Sequence, residues 1–235
     1  GLRKAPKAML ADVEIPNAFA YGNIFSGYRI AVTRGLLENL PPEEIEAVIA
    51  HEVGHIKHKD VEVMMIVSIL PAIIYWLGQV LYRYSFYAGL YGRRGDRASP
   101  VVLLMFGIGL LAISFIFNLF VLYLSRLREY YADAHSAITI PGGAWKLQRA
   151  LARILVISGS LKLPPTKTGG ISKFKAFLIA DPDLKPGMQR FHSIDEVVEY
   201  IKSRRSLLTL EIFSTHPDPA KRLRFLDRFR YEFKA

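Results

Sequence analysis

The chain has 235 residues, 51% of them hydrophobic, no cysteine and a formal net charge of +10. That apolar content excludes an ordinary soluble domain of this length, and the lack of cysteine excludes a disulfide framework. No recognised nucleic-acid motif accompanies the basic excess, so nucleic acid is set aside as a partner and a membrane surface is favoured.

The chain opens on Gly1, and Leu2-Arg3-Lys4-Ala5-Pro6-Lys7 reads as a basic segment beside a membrane, so further spans are expected upstream. Alternation over Met9–Ile15 and again over Tyr28–Thr33 predicts short strands of a small antiparallel sheet. Between them, Pro16–Gly22 is either a plain connection or an extended sheet edge. A peptide substrate could join such an edge by strand addition.

Pro42 with Glu43 and Glu44 marks a helix start, and Ile45, Val48, Ile49, Val53 and Ile56 follow at helical spacing. That helix carries His51-Glu52-Val53-Gly54-His55. Histidines four apart lie about 40° apart around the axis and one turn along it, so both imidazoles reach one metal ion. Glu52 points elsewhere and can accept a proton from the attacking water. His58 is too far along the axis to join His51 on one ion, and reads as a polar surface residue near the membrane.

Residues 63–82 and 101–125 contain no charged side chain. Twenty helical residues cover about 30 Å, the thickness of a bilayer's hydrocarbon core. The alternative is two buried helices of a soluble protein. As spans they form a hairpin joined by the basic segment 83–100, which leaves 1–62 and 126–235 on one side as two parts of one domain. Lys57, Lys59, Arg126 and Arg128 are balanced by Arg83, Arg93, Arg94 and Arg97, so only the overall charge favours a cytoplasmic face for that domain.

A catalytic zinc site takes three protein ligands, and Glu129 directly after the second span is suited to be the third. Asp133, four residues on, shares its helical face and can hold the distal N–H of a ligating histidine. The alternative is a pair of ordinary helix carboxylates, with Arg126 and Arg128 in surface ion pairs. Further on, Trp145–Ile157 reads as an amphipathic helix, residues 163–170 as a mobile loop, and Ser193 with Glu196 as a capping box opening a helix over Asp195–Arg205. Arg222, Arg224, Arg228 and Arg230 interleave with Leu223, Leu226 and Phe229, the pattern of a solvated face against a packed one.

Together, His51-Glu52-Val53-Gly54-His55 and Ser125-Arg126-Leu127-Arg128-Glu129-Tyr130-Tyr131-Ala132-Asp133 resemble the HtpX-type membrane metalloproteases, relatives of the CaaX prenyl proteases. Pro16-Asn17-Ala18-Phe19-Ala20 with Gly22 is similar to that family's substrate-edge segment, and Ser214-Thr215-His216-Pro217-Asp218-Pro219 to its Thr-His-Pro-Pro signature, with Asp218 in place of the second proline. The resemblance implies a mainly α (α+β), zincin-like domain with a small antiparallel sheet and an inserted transmembrane hairpin. It implies one zinc ion on His51, His55 and Glu129, Glu52 as general base and Asp133 behind a ligand. Asn17, Ala18 and Phe19 would border the substrate, and His216, a nearby tyrosine or Arg222 would stabilise the oxyanion. The activity expected is hydrolysis of peptide bonds in misfolded or damaged membrane proteins from the cytoplasmic side of the cell membrane. A CaaX-type processing protease and a zinc-containing scaffold are the alternatives.

Overall fold

The computed structural model describes residues 2, 4–91, 100–160, 193–204 and 211–230. Three strands open the chain: β1 (Lys7–Ala11), β2 (Ala18–Tyr21) and β3 (Arg29–Thr33). The sheet order is β1-β3-β2, with β3 antiparallel to β2 and parallel to β1. The sheet is therefore mixed, not wholly antiparallel as expected. Strands that alternate in direction leave the first and third parallel, and here the third occupies the centre. Ile30, Ala31 and Val32 of β3 are buried accordingly, while β2 is an edge. Strand β1 stops at Ala11, short of the Ile15 suggested by alternation, because the Val13 amide turns back to the Ala11 carbonyl.

Helix α1 (Arg34–Asn39) starts where the Thr33 hydroxyl accepts from the Leu36 amide. Helix α2 (Pro42–Lys57) has proline in its first turn, with Glu43 and Glu44 against its positive end. It buries Ala47, Val48 and Ile56 together with His51 and Glu52. Glu44 is buried too, and accepts from Arg149 Nε at 3.3 Å and Arg153 Nε at 2.8 Å, which ties α2 to α5 (Gly143–Ser160). Leu147, Leu151, Ile154 and Leu155 of α5 share one core with Val197, Val198 and Ile201 of α6 (Ile194–Ser203) and with Leu223 and Leu226 of α7 (Pro219–Leu226). A 3-10 turn follows over Asp227–Phe229. The Ser193 hydroxyl accepts from the Glu196 amide, as the capping box predicts, and the helix ends at Ser203. The loop expected at 163–170 lies outside the described residues.

Two long helices complete the fold, α3 (Asp60–Tyr91) and α4 (Pro100–Thr139), both apolar and long enough to cross a membrane. Helix α2 does not run on into α3: His58 ends it and Lys59 turns left-handed at φ 55°. Helix α3 extends past Tyr82 into the segment expected as a loop, since nothing in residues 83–88 breaks a helix. The chain forms two compact units, one from Gly1–Val61 with Arg126–Ala235 and the other from Glu62–Ser125. Within the second, a Cβ on Gly107 would stand 2.8 Å from the Tyr82 amide nitrogen, so only glycine allows α3 and α4 to approach this closely. The Ser114 hydroxyl donates to the Pro71 carbonyl at 2.9 Å, an interhelical bond in an otherwise apolar contact.

Candidate active site

The site forms where α2 meets the last turns of α4. At Gly54 an added Cβ would stand 3.1 Å from Ala132 Cα and 3.0 Å from His135 Cβ, so glycine lets the two helices touch. One turn away, the Ser136 hydroxyl donates to the Ala47 carbonyl at 2.7 Å and fixes their relative register. The histidines of α2 then face Glu129 of α4.

His51 Nε2 and His55 Nε2 are 3.1 Å apart, while Glu129 Oε2 is 3.8 Å from the first and Glu129 Oε1 3.7 Å from the second. Ligand atoms of a tetrahedral zinc ion stand about 3.3 Å from one another, given bonds of about 2.0–2.1 Å. The three donors come close to that spacing.

Behind each ring stands a carboxylate. His51 Nδ1 is 3.0 Å from Asp133 Oδ1, and His55 Nδ1 is 2.5 Å from Asp60 Oδ2. An ionised carboxylate only accepts, so it holds a ring proton at each Nδ1, and the Nε2 atoms, whose lone pairs are free once the rings are neutral, converge beside Glu129. Two lone pairs and a carboxylate aimed at one point suit a cation.

Arg222 is only 1% exposed, far from the solvated face its spacing suggests. Its Nε and Nη2 donate to Asp133 at 2.9 and 2.6 Å, and its Nη1 lies 3.2 Å from Glu129 Oε2. The guanidinium thus backs both carboxylates and lies among buried groups. Arg128, read as a surface ion-pair residue in one alternative, stands 3.1 Å from the same Asp60 oxygen that meets His55.

Charge organises the site in the same way. Glu129 and Asp133 lie beyond the apolar run of α4. Burial would raise both carboxyls, but the His216 bond and Arg222 at Glu129, and Arg222 with His51 at Asp133, hold them below the usual range. Burial would lower His55, yet the Asp60 bond and the charges of Glu129 and Glu52 raise it to about 9. Glu52, unlike the other two carboxyls, is raised, chiefly by burial against the pull of the two histidines.

Glu52 Oε2 accepts from the Ala20 amide of β2 at 2.8 Å. Asn17 and Thr33 face each other, with the Thr33 amide donating to the Asn17 carbonyl at 3.0 Å. By antiparallel alternation, Ala18 and Ala20 turn their amides and carbonyls away from β3, towards the open edge. Asn17 and Ala18 are buried, and Phe19 lies partly exposed with its ring 5.8 Å from that of Tyr21. His216 closes the other side, with Nδ1 3.5 Å from Glu129 Oε1. Its segment is anchored by Arg126 Nη1, which donates to the carbonyls of Glu211 and Ser214 at 2.9 and 2.8 Å. Asp218 caps α7, accepting from the Ala220 amide at 2.7 Å, a role proline cannot fill.

Every candidate site residue named from the sequence, from Asn17 to Arg222, lies in this one unit. Sequence reasoning missed Asp60 and the Ala20 amide. A search for a carboxylate behind the second histidine, matching Asp133 behind the first, would have reached Asp60.

The chain matches peptidase family M48 over residues 2–230. Protease HtpX homolog 2 of Sulfurisphaera tokodaii is 40% identical to it over 231 residues, 96% of this chain and 69% of that protein. The protease HtpX homolog of Aeropyrum pernix is 42% identical over 228 residues, 96% and 70% of the two chains. Among solved structures, the crystal structure of S. mikatae Ste24p superposes with a TM-score of 0.53 at 20% identity, covering 94% of this chain and 46% of that one, a likeness of fold alone. With nearly its whole length in the family match and with relatives at this identity, the chain belongs to peptidase family M48, as a membrane metalloprotease of the HtpX type.

Proposed function

We propose that this chain is a zinc-dependent endopeptidase with His51, His55 and Glu129 as ligands, Glu52 as general base, and Asp133 orienting His51. The observation that carries this reading is the convergence of two Nε2 atoms and the Glu129 carboxylate, each ring backed by a carboxylate at Nδ1. Glu52 also lies near both histidines, with donor atoms of all three within 4.8 Å of one another. It is assigned the proton rather than the metal, because its neighbour on the helix faces the ion and its own Oε2 is turned to β2. Bound zinc supplies Lewis acidity and an acidified water. Glu52 accepts the proton of the attacking water and returns it to the departing amine.

His216, at the rim of the site, donates to the oxyanion; Arg222, enclosed behind Glu129 and Asp133, positions those carboxylates. A substrate strand adds along β2, where the Ala18 backbone, turned to the open edge, offers bonds with little demand on sequence and Asn17 and Phe19 flank it. The substrates are misfolded or damaged membrane proteins, met by a multi-pass protein whose site faces the cytoplasm. Nearness to the bilayer is supported by Glu129, four residues past an uncharged apolar run on one unbroken helix, and the cytoplasmic face by the net charge of +10.

The test is the metal content of the detergent-purified chain, with degradation of an unfolded polypeptide by wild type and Glu52→Gln. About one zinc per chain and loss of degradation in the variant are expected. Equal, slow degradation by both would reduce the protein to a zinc-containing scaffold. A few defined products from a single substrate would indicate a processing protease instead.

A further inference from the structure

Asp60 and Arg128 are the first residue of α3 and a residue near the unit-1 start of α4, and in sequence they flank the whole segment Glu62–Ser125. A single oxygen, Asp60 Oδ2, meets both His55 Nδ1 at 2.5 Å and Arg128 Nε at 3.1 Å. Asp60 is only 4% exposed, so its charge has little water to compensate it. Arg128 precedes Glu129 directly, so the guanidinium on that oxygen and the carboxylate beside the histidines belong to adjacent residues of one helix turn. Asp133 behind His51 comes from α4 itself, but Asp60 behind His55 comes from beyond the His58–Lys59 turn, where α2 has ended. Without a partner, a carboxylate at the end of such a turn has no reason to hold its position.

Resting on the zinc reading above, we infer that Asp60 and Arg128 act as one positioning pair: Arg128 holds the Asp60 carboxylate against His55 Nδ1, and through that oxygen the α4 side of the site sets the ring that α2 contributes. Neither touches the substrate or the ion. Their action falls on the orientation and tautomer of His55, and hence on how tightly the metal is held.

The test uses the detergent-solubilised chain loaded with zinc, measuring its release to a chromophoric chelator, and the visible spectrum of the cobalt(II)-loaded form. Asp60→Asn is expected to weaken metal retention about 10- to 100-fold and to alter the cobalt spectrum. Arg128→Gln should act in the same direction more weakly, and Arg128→Lys should restore most of the loss. Because Arg128 works through Asp60, the double variant should release zinc no faster than Asp60→Asn alone. The melting temperature of the metal-free protein should stay near that of wild type, which a merely structural pair would not allow. Should Asp60→Asn fail to accumulate, Asp60→Glu serves, since one added methylene displaces the oxygen and should also speed release. Wild-type release and spectrum in the Asp60 variants would overturn the inference, and so would losses that multiply in the double variant. A wild-type chain that held no zinc would instead sink the functional reading, a distinguishable failure.

Discussion

The two units of this molecule bury opposite things. In the unit built from both ends of the chain, Leu36, Leu147, Ile154 and Leu223 are enclosed, and among the charged groups inside, Glu44, Asp133 and Arg222 stand in ion pairs. In Glu62–Ser125 the large side chains face outward, with Trp76 at 66% and Met105 at 68% exposure, while Ser114 is enclosed at 1%. The difference teaches that this one chain is written for two solvents. Enclosed charge is tolerable at Glu44, Asp133 and Arg222 because each has a partner of opposite sign. Outward tryptophan and phenylalanine are tolerable in the second because hydrocarbon surrounds it.

The largest effect available to sharpen this contrast lies in the enclosed charge. Glu52→Gln keeps shape and removes the base, so kcat/KM on an unfolded polypeptide should fall about 10²- to 10⁴-fold, with zinc content unchanged by elemental analysis. Next comes a matched pair of surface changes. Ile69 is 51% exposed in the hairpin unit and Leu37 47% exposed in the other. Ile69→Lys should cost about 3 kcal/mol in membrane insertion, whereas Leu37→Lys should stay within about 0.5 kcal/mol in a melting assay. Equal costs at the two positions would break the comparison.

Only the enclosed unit should respond to pH through its metal. His55, held near 9, must lose a proton before it can bind zinc, so apparent affinity should weaken about tenfold per pH unit as pH falls below about 9. Chelator competition between pH 6 and 8 measures this, and a flat profile would contradict it. Smaller still is Gly54→Ala, which forces α2 off α4 and should cost about 1–3 kcal/mol in denaturant unfolding. Asp218→Ala removes one helix cap and should cost about 1 kcal/mol by the same assay.

Much of this was legible because it is periodic. The His51–His55 spacing, the apolar runs and the Glu129–Asp133 spacing each follow from one helix read alone. What escaped reading depends on contacts between segments. Arg222 looks like one of four exposed arginines until Asp133, far away in sequence, meets it. Asp60 was hidden by the left-handed turn at Lys59, which ends the α2 periodicity just before it. Alternation located two strands but not which of three sits in the middle, so the parallel pairing of β1 with β3 had no local sign.

The hairpin inserted between the two halves of the enclosed unit also sets an order of events at the ribosome. His51 and His55 emerge first, then the whole of Glu62–Ser125, and only then Glu129. On the ligand set proposed above, a nascent chain cannot complete its metal site until both apolar helices have been made. Until Glu129 has been made, the nascent chain therefore holds two of the proposed ligands and lacks the third, with no separate inhibitory segment required over that interval.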